Sequence, residues 1–221
     1  MKTKQWSSRC IIAVMVVAAA LLAVDKTMSS AQAAATKIFG VNDNAYGNTY
    51  GEWSARWWQW LLSIPAATNP NLDTTGANCT EQQSSPVFFL AGTFGGPDPV
   101  IRKCTVHAGA AVFDCDPTAA PAVTCNLADL RTKAADGQDS TALTAIIDGK
   151  PVKDLNQQRV QSPVLTITYP DHSVTGVAAG AYAPNVSDGY WLLLAPLSMG
   201  KHSIYFKAGD FLEVTYNLTV Q

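Results

Sequence analysis

Three histidines are the acid/base candidates of this chain: His107, His172 and His202. Imidazole changes charge near neutral pH, and acyl transfer needs one held between a nucleophile and an orienting carboxylate. The local sequence does not supply that setting. His107 lies in the turn Val106-His107-Ala108-Gly109 beside Cys104, where it can face a groove, so it is carried forward as a binding candidate. His172 follows Pro170-Asp171 in a turn, and His202 sits in a turn entering a strand, where a structural role is expected. No serine stands in the Gly-x-Ser-x-Gly context of a nucleophile elbow.

Carboxylate pairs are the second acid/base device, and glycoside hydrolysis needs two across one cleft. Beyond residue 33 the chain has three glutamates, Glu52, Glu81 and Glu213. Glu52 has the spacing of a helix cap and Glu213 lies in a strand with an outward face, while Asp114 and Asp116 flank Cys115 in a loop. No residue is assigned a catalytic role. The segments 73–78 and 136–139 are the best oxygen-rich loops; such ligands favour calcium over zinc, although neither loop has EF-hand spacing. Asp73 and Asn78 are therefore binding candidates, and calcium is the one cofactor the composition suggests.

Tryptophan is the remaining recognition chemistry, because its face stacks on sugars. Four of the six tryptophans fall between Thr49 and Pro65, and Trp58 is the candidate for a sugar contact. Burying one large aromatic is worth roughly 2–3 kcal/mol, so a helix with tryptophans around its axis is expected in the core. The same stretch has Thr49 and Glu52 at capping-box spacing, Pro65 as its stop, and a polar stripe of Glu52, Arg56, Gln59 and Ser63. Glu52 and Arg56 are spaced for an i, i+4 ion pair.

The elements that must position these groups are mostly strands. The first residues read as an export signal, with Lys2, Lys4 and Arg9 ahead of an apolar run from Ile11 to Val24. That run is shorter than the roughly 20 residues of a bilayer span. Ala31-Gln32-Ala33 predicts cleavage after Ala33, giving a signal peptide over 1–33 and one domain over 34–221. Four of the 15 basic and one of the 17 acidic residues lie in the signal, so the remainder carries 11 against 16, a net of −5. With no basic run, nucleic acid and anionic membrane are not expected partners. Cys79, Cys104, Cys115 and Cys125 remain after export, and an even count predicts two disulfides. Three pairings are open; Cys79–Cys104 and Cys115–Cys125 close the loops with least entropy.

A helix is expected over about 50–64, a long polar loop over 66–85, and a short helix over Leu127–Ala135. Strands are expected at 38–41, 87–91, 100–106, 110–113, 142–147, 150–152, 164–169, 176–182, 190–194, 201–207 and 211–220. Asp148-Gly149 marks a tight hairpin. The fold class is mainly β, an antiparallel sandwich with the Trp-rich helix packed on it.

Two resemblances extend this reading. Leu197-Ser198-Met199-Gly200-Lys201-His202-Ser203-Ile204, the closing Val214–Val220 and the Ile147–Val152 hairpin resemble bacterial immunoglobulin-like domains, which implies such a sandwich over about 142–221. Tyr50–Trp60, with Asn69-Pro70, Asp73, Gly76, Cys79, Pro86–Gly92 and Arg102–Val106, resembles an uncharacterised family of exported bacterial proteins. That resemblance implies export, a helix-plus-strand core and a Cys79–Cys104 pair. It brings no activity, and none for His107, which stands where proline is expected. The function expected is a non-enzymatic binding or envelope-interaction protein, secreted or periplasmic, with a carbohydrate or protein ligand. The rival is a secreted polysaccharide hydrolase using loop carboxylates, and a third role is a subunit completing an assembly through a sheet edge.

Overall fold

The helix α1 (Tyr50–Leu62) begins as the capping box prescribes: the Thr49 side chain accepts from the Glu52 amide, and the Glu52 carboxylate accepts from the Thr49 amide at 2.7 Å. Its far end is closed by a residue outside it. Asn69, buried, donates to the carbonyls of Leu61 and Ile64 at 2.8 and 3.0 Å, satisfying acceptors that a helix end leaves free. All four tryptophans of α1 are buried, and Trp57 packs edge-on against Trp58, Trp60 and Trp191 with centroids 4.7, 5.9 and 5.8 Å away. Three indole N–H groups then tie α1 to separate segments: Trp53 to Ala45 O, Trp57 to Leu90 O and Trp60 to Glu81 O.

The computed structural model describes residues 36–84, 86–94, 98–104, 126–136, 138 and 141–221, with the backbone of Ile12–Val16 and Val112–Phe113. The strands run β1 (Ile12–Val16), β2 (Phe88–Phe89), β3 (Val100–Cys104), β4 (Val112–Phe113), β5 (Leu143–Ile147), β6 (Lys150–Pro151), β7 (Arg159–Gln161), β8 (Leu165–Tyr169), β9 (Gly180–Leu194), β10 (Gly200–Ala208) and β11 (Leu212–Val220). A second helix, α2 (Leu127–Ala135), lies between β4 and β5, and a 3-10 turn spans Leu155–Gln158.

The chain is mainly β and builds two sheets. One has the order β2-β1-β9-β4, with β7 and β8 also pairing with β9; the other has the order β3-β11-β10-β5-β6. Residues of both sheets and of α1 join one apolar cluster, including Trp57, Trp191, Phe206 and Val214. Among the described residues no helix is long and apolar enough to cross a membrane.

Several expectations change. The sheets are not wholly antiparallel, because β3 pairs with β11, and β1 with β9, in parallel. The expected strand at 176–182 starts only at Gly180, and it is continuous with the one expected at 190–194 in a single fifteen-residue strand, β9, running through Pro184, Asn185, Asp188 and Gly189. The strand continues through these turn formers with a register shift against β8 near Asn185, whose amide donates to Tyr182 O, while Asp188 is bound by Arg159 and Gln161. The expected strand at 38–41 reduces to a bridge between Ile38 and Leu194. Part of the run read as an export signal, Ile12–Val16, is a strand between β9 and β2.

Candidate functional site

The polar stripe of α1 is where the helix leaves the core. Arg56 and Gln59 are exposed, and with Ser63 they form one wall of a cleft of about 300 Å³. Gln82 and Ser84 form the facing wall, and Trp60 and Phe89 contribute its apolar part. The two walls are fixed by the Trp60 indole, which donates to the Glu81 carbonyl at 2.9 Å, and by Ser63, whose hydroxyl contacts Gln82 Oε1 at 3.4 Å. Gln59 is held by its amide nitrogen on Thr166 O at 3.0 Å.

Arg56 gives the cleft its charge. The expected Glu52–Arg56 ion pair is not formed among the described residues: the Glu52 carboxylate turns to the amide and hydroxyl of Thr49, at 2.7 and 2.9 Å. Those hydrogen bonds from Thr49, with a smaller contribution from the Arg56 charge, hold the Glu52 carboxyl below its ordinary pKa. The Arg56 guanidinium instead lies over the Trp53 ring, 5.5 Å from its centroid. The same residue lines the cleft. A second depression of about 400 Å³ lies beside β5 and the β10–β11 turn, but its cation, Lys207, is already bound to Glu213 at 2.7 Å.

Those of the residues singled out from sequence that the structure describes do not gather in one place. Trp58 is buried, 3% exposed, and its indole N–H has no partner, so it belongs to the core and presents no face to a sugar. Asp73 and Asn78 share one loop, but that loop uses the carboxylate itself. Asp73 Oδ1 accepts from the Thr75 amide and hydroxyl, and Oδ2 from the Asn78 amide at 2.9 Å. Among the described residues no three His, Cys, Asp or Glu side chains gather as metal ligands. His107, Cys115 and Cys125 lie outside the described residues, as do positions 137 and 139 of the other loop.

The Cys79–Cys104 disulfide is formed and ties that loop to β3. Its neighbour Gly76 passes so close that a Cβ there would stand 2.3 Å from Lys103 O, at a φ of +96° that favours glycine. Beneath it, Arg102 is buried and donates to the carbonyls of Asp73, Ala91 and Gly92. Sequence reasoning missed this arginine as an organiser. The signal was its place two residues before Cys104, on the same face of β3.

One further constellation was not expected. His202 lies between Asp148 and Ser198, with Nδ1 2.8 Å from Asp148 Oδ2 and Nε2 3.4 Å from Ser198 Oγ. It resembles a nucleophile–base–carboxylate row, but Nε2 is closer, at 2.9 Å, to the Ser198 carbonyl. A carbonyl oxygen can only accept a hydrogen bond, so Nε2 set against it acts as a donor and is not placed as the base for the hydroxyl. Asp148 Oδ1 meanwhile accepts from the Ser203 amide at 2.9 Å. The group is a clasp between the β5–β6 turn and the start of β10.

The chain matches no family model, no curated protein and no solved structure in comparisons with each.

Proposed function

We propose that this is an exported, non-enzymatic binding protein of the bacterial envelope or its surroundings, and that it recognises an acidic saccharide in the Arg56 cleft. One observation carries the reading: an exposed arginine stands in a cleft whose other polar groups are amides and hydroxyls. A guanidinium pairs with a carboxylate, Gln59, Gln82, Ser63 and Ser84 suit sugar hydroxyls, and Trp60 with Phe89 suits the apolar face of a ring. Among the described residues the lining includes neither a carboxylate nor a histidine, in keeping with a cleft that holds a ligand rather than cleaves it. Its volume is at the lower end of small-molecule sites, which suits one or two sugar rings.

Export rests on the basic start, the apolar run and Ala31-Gln32-Ala33; it puts the working chain at 34–221, secreted or periplasmic. The Cys79–Cys104 bridge is in keeping with an oxidising compartment. The likeness of the C-terminal part to an immunoglobulin-like sandwich is supported by β10 and β11, a nine-residue antiparallel pair set against the β5–β6 hairpin. The likeness to exported bacterial proteins is kept as part of the same reading.

The test is calorimetric titration with short oligomers of galacturonate and of glucose. Galacturonate oligomers are expected to bind and glucose oligomers to bind at least tenfold more weakly. Arg56→Gln is expected to remove that preference while the fold is unchanged. Equal binding of both oligomers, or of the variant and the parent chain, would sink the assignment.

A further inference from the structure

Strand β9 is paired along both edges at its C-terminal end, and different parts of the chain hold the two edges. On one edge the Phe39 amide donates to Leu193 O at 2.8 Å, the Ala195 amide to Lys37 O at 2.9 Å, and the Leu193 amide to the Tyr50 hydroxyl at 3.1 Å. Backbone groups alternate along a strand, so Tyr190, Leu192 and Leu194 turn theirs to the opposite edge. That edge is covered by β1, in parallel register from Ile12 opposite Tyr190 to Val16 opposite Leu194, and β1 pairs with β2 on its far side. The covering strand thus comes from the apolar run that export would remove.

We propose that cleavage of the leader opens a strand-shaped slot between β9 and β2, and that a partner protein fills it with an apolar β-strand. The proposal rests on the export reading given above. The slot states what its occupant must be. Tyr190, Trp191, Leu192, Leu193 and Leu194 are all buried, so both faces of the sheet are covered here. A strand entering such a position is apolar at successive residues rather than alternating, as Ile12-Ala13-Val14-Met15-Val16 is. An uncovered edge of this kind presents unpaired N–H and C=O groups and templates strand addition. Among the described residues the other apolar runs, at 87–91 and 190–194, are built into this sheet and core, so a second copy does not lend either of them.

The full chain is exported from a bacterial host and the N-terminus of the product read by intact mass. Hydrogen exchange at the Leu192 and Leu194 amides is then followed with and without a peptide of residues 11–17 carrying terminal lysines, and with the same peptide bearing Met15→Pro, the residue between the register partners of Leu192 and Leu194 whose N–H faces β9. The expected product lacks residues 1–33 and exchanges these amides at least tenfold faster than the uncleaved chain. Protection returns with the apolar peptide and not with the proline one, which cannot complete the ladder. A product that keeps its leader contradicts the export reading and the slot with it. A cleaved product whose amides stay protected unaided, or gain nothing from the peptide, overturns the slot alone. Should the cleaved chain be unfolded, refolding on addition of the peptide supports the slot and failure to refold counts against it.

Discussion

Arg102 donates from Nη1 to the hydroxyl of Tyr216 at 2.7 Å, and that hydroxyl donates in turn to the Ala91 carbonyl at 2.7 Å. Both residues are nearly inaccessible, at 1% and 0% exposure. Among the described residues the charge is met by carbonyl dipoles from two loops, with no carboxylate in an ion pair. Burial pushes the Tyr216 hydroxyl above its ordinary pKa, against the pull of Arg102, so it stays a neutral relay.

Arg102→Met is expected to destabilise by roughly 3–5 kcal/mol, because three loop carbonyls lose a charged donor at once. Tyr216→Phe is expected to cost less, about 1–2 kcal/mol, since Arg102 keeps its other acceptors. Urea denaturation of the two variants gives the comparison; equal losses would mean that the hydroxyl, and not the guanidinium, organises the loops.

Reducing the Cys79–Cys104 bridge is expected to lower the melting temperature, through a loss on the order of 3 kcal/mol for a loop of this kind. The bridge closes a separation of 25 residues and holds the loop that Arg102 anchors. The Cys79→Ala, Cys104→Ala double variant is expected to melt at the temperature of the reduced protein. Calorimetry with and without reductant measures it, and an unchanged curve contradicts the assigned role.

The same loop sets an acid limit. Burial works against the Asp73 carboxylate, but hydrogen bonds from the Asn78 and Thr75 amides and the Thr75 hydroxyl, with Arg102 nearby, hold its pKa below 3.8. A carboxyl lowered on folding contributes stability that is complete above its unfolded pKa and lost as pH falls through the folded value. Asp73→Asn is therefore expected to melt lower than the parent chain at pH 7, with the gap shrinking as pH falls below 3.8. A gap that stays constant through that range would assign the effect to shape alone.

Much of the frame was legible because local signals agreed with the tertiary need. The capping box at Thr49, the proline stop, Leu127–Ala135 and the alternation in 164–169 each appear as expected. What failed was settled by distant partners. Pro184, Asn185, Asp188 and Gly189 read as turn residues, yet Arg159 and Gln161, more than twenty residues upstream, hold that stretch in β9. The parallel pairing of β3 with β11 joins segments over a hundred residues apart, and no local period encodes it. The cleft was half legible. Arg56, Gln59 and Ser63 stood out as the polar stripe of α1, but Gln82 and Ser84 are ordinary loop residues until Trp60 fixes Glu81 beside the helix.

The central claim is that the Arg56 cleft is the binding site, and nitrogen-edited NMR during titration with trigalacturonate tests it most directly. The side-chain amides of Gln59 and Gln82 and the indole N–H of Trp60 are expected to shift together with one saturation curve, while the buried indole of Trp191 stays in place. Shifts centred instead on the loop around Asp73 and Asn78, or no saturable shift at all, would contradict it.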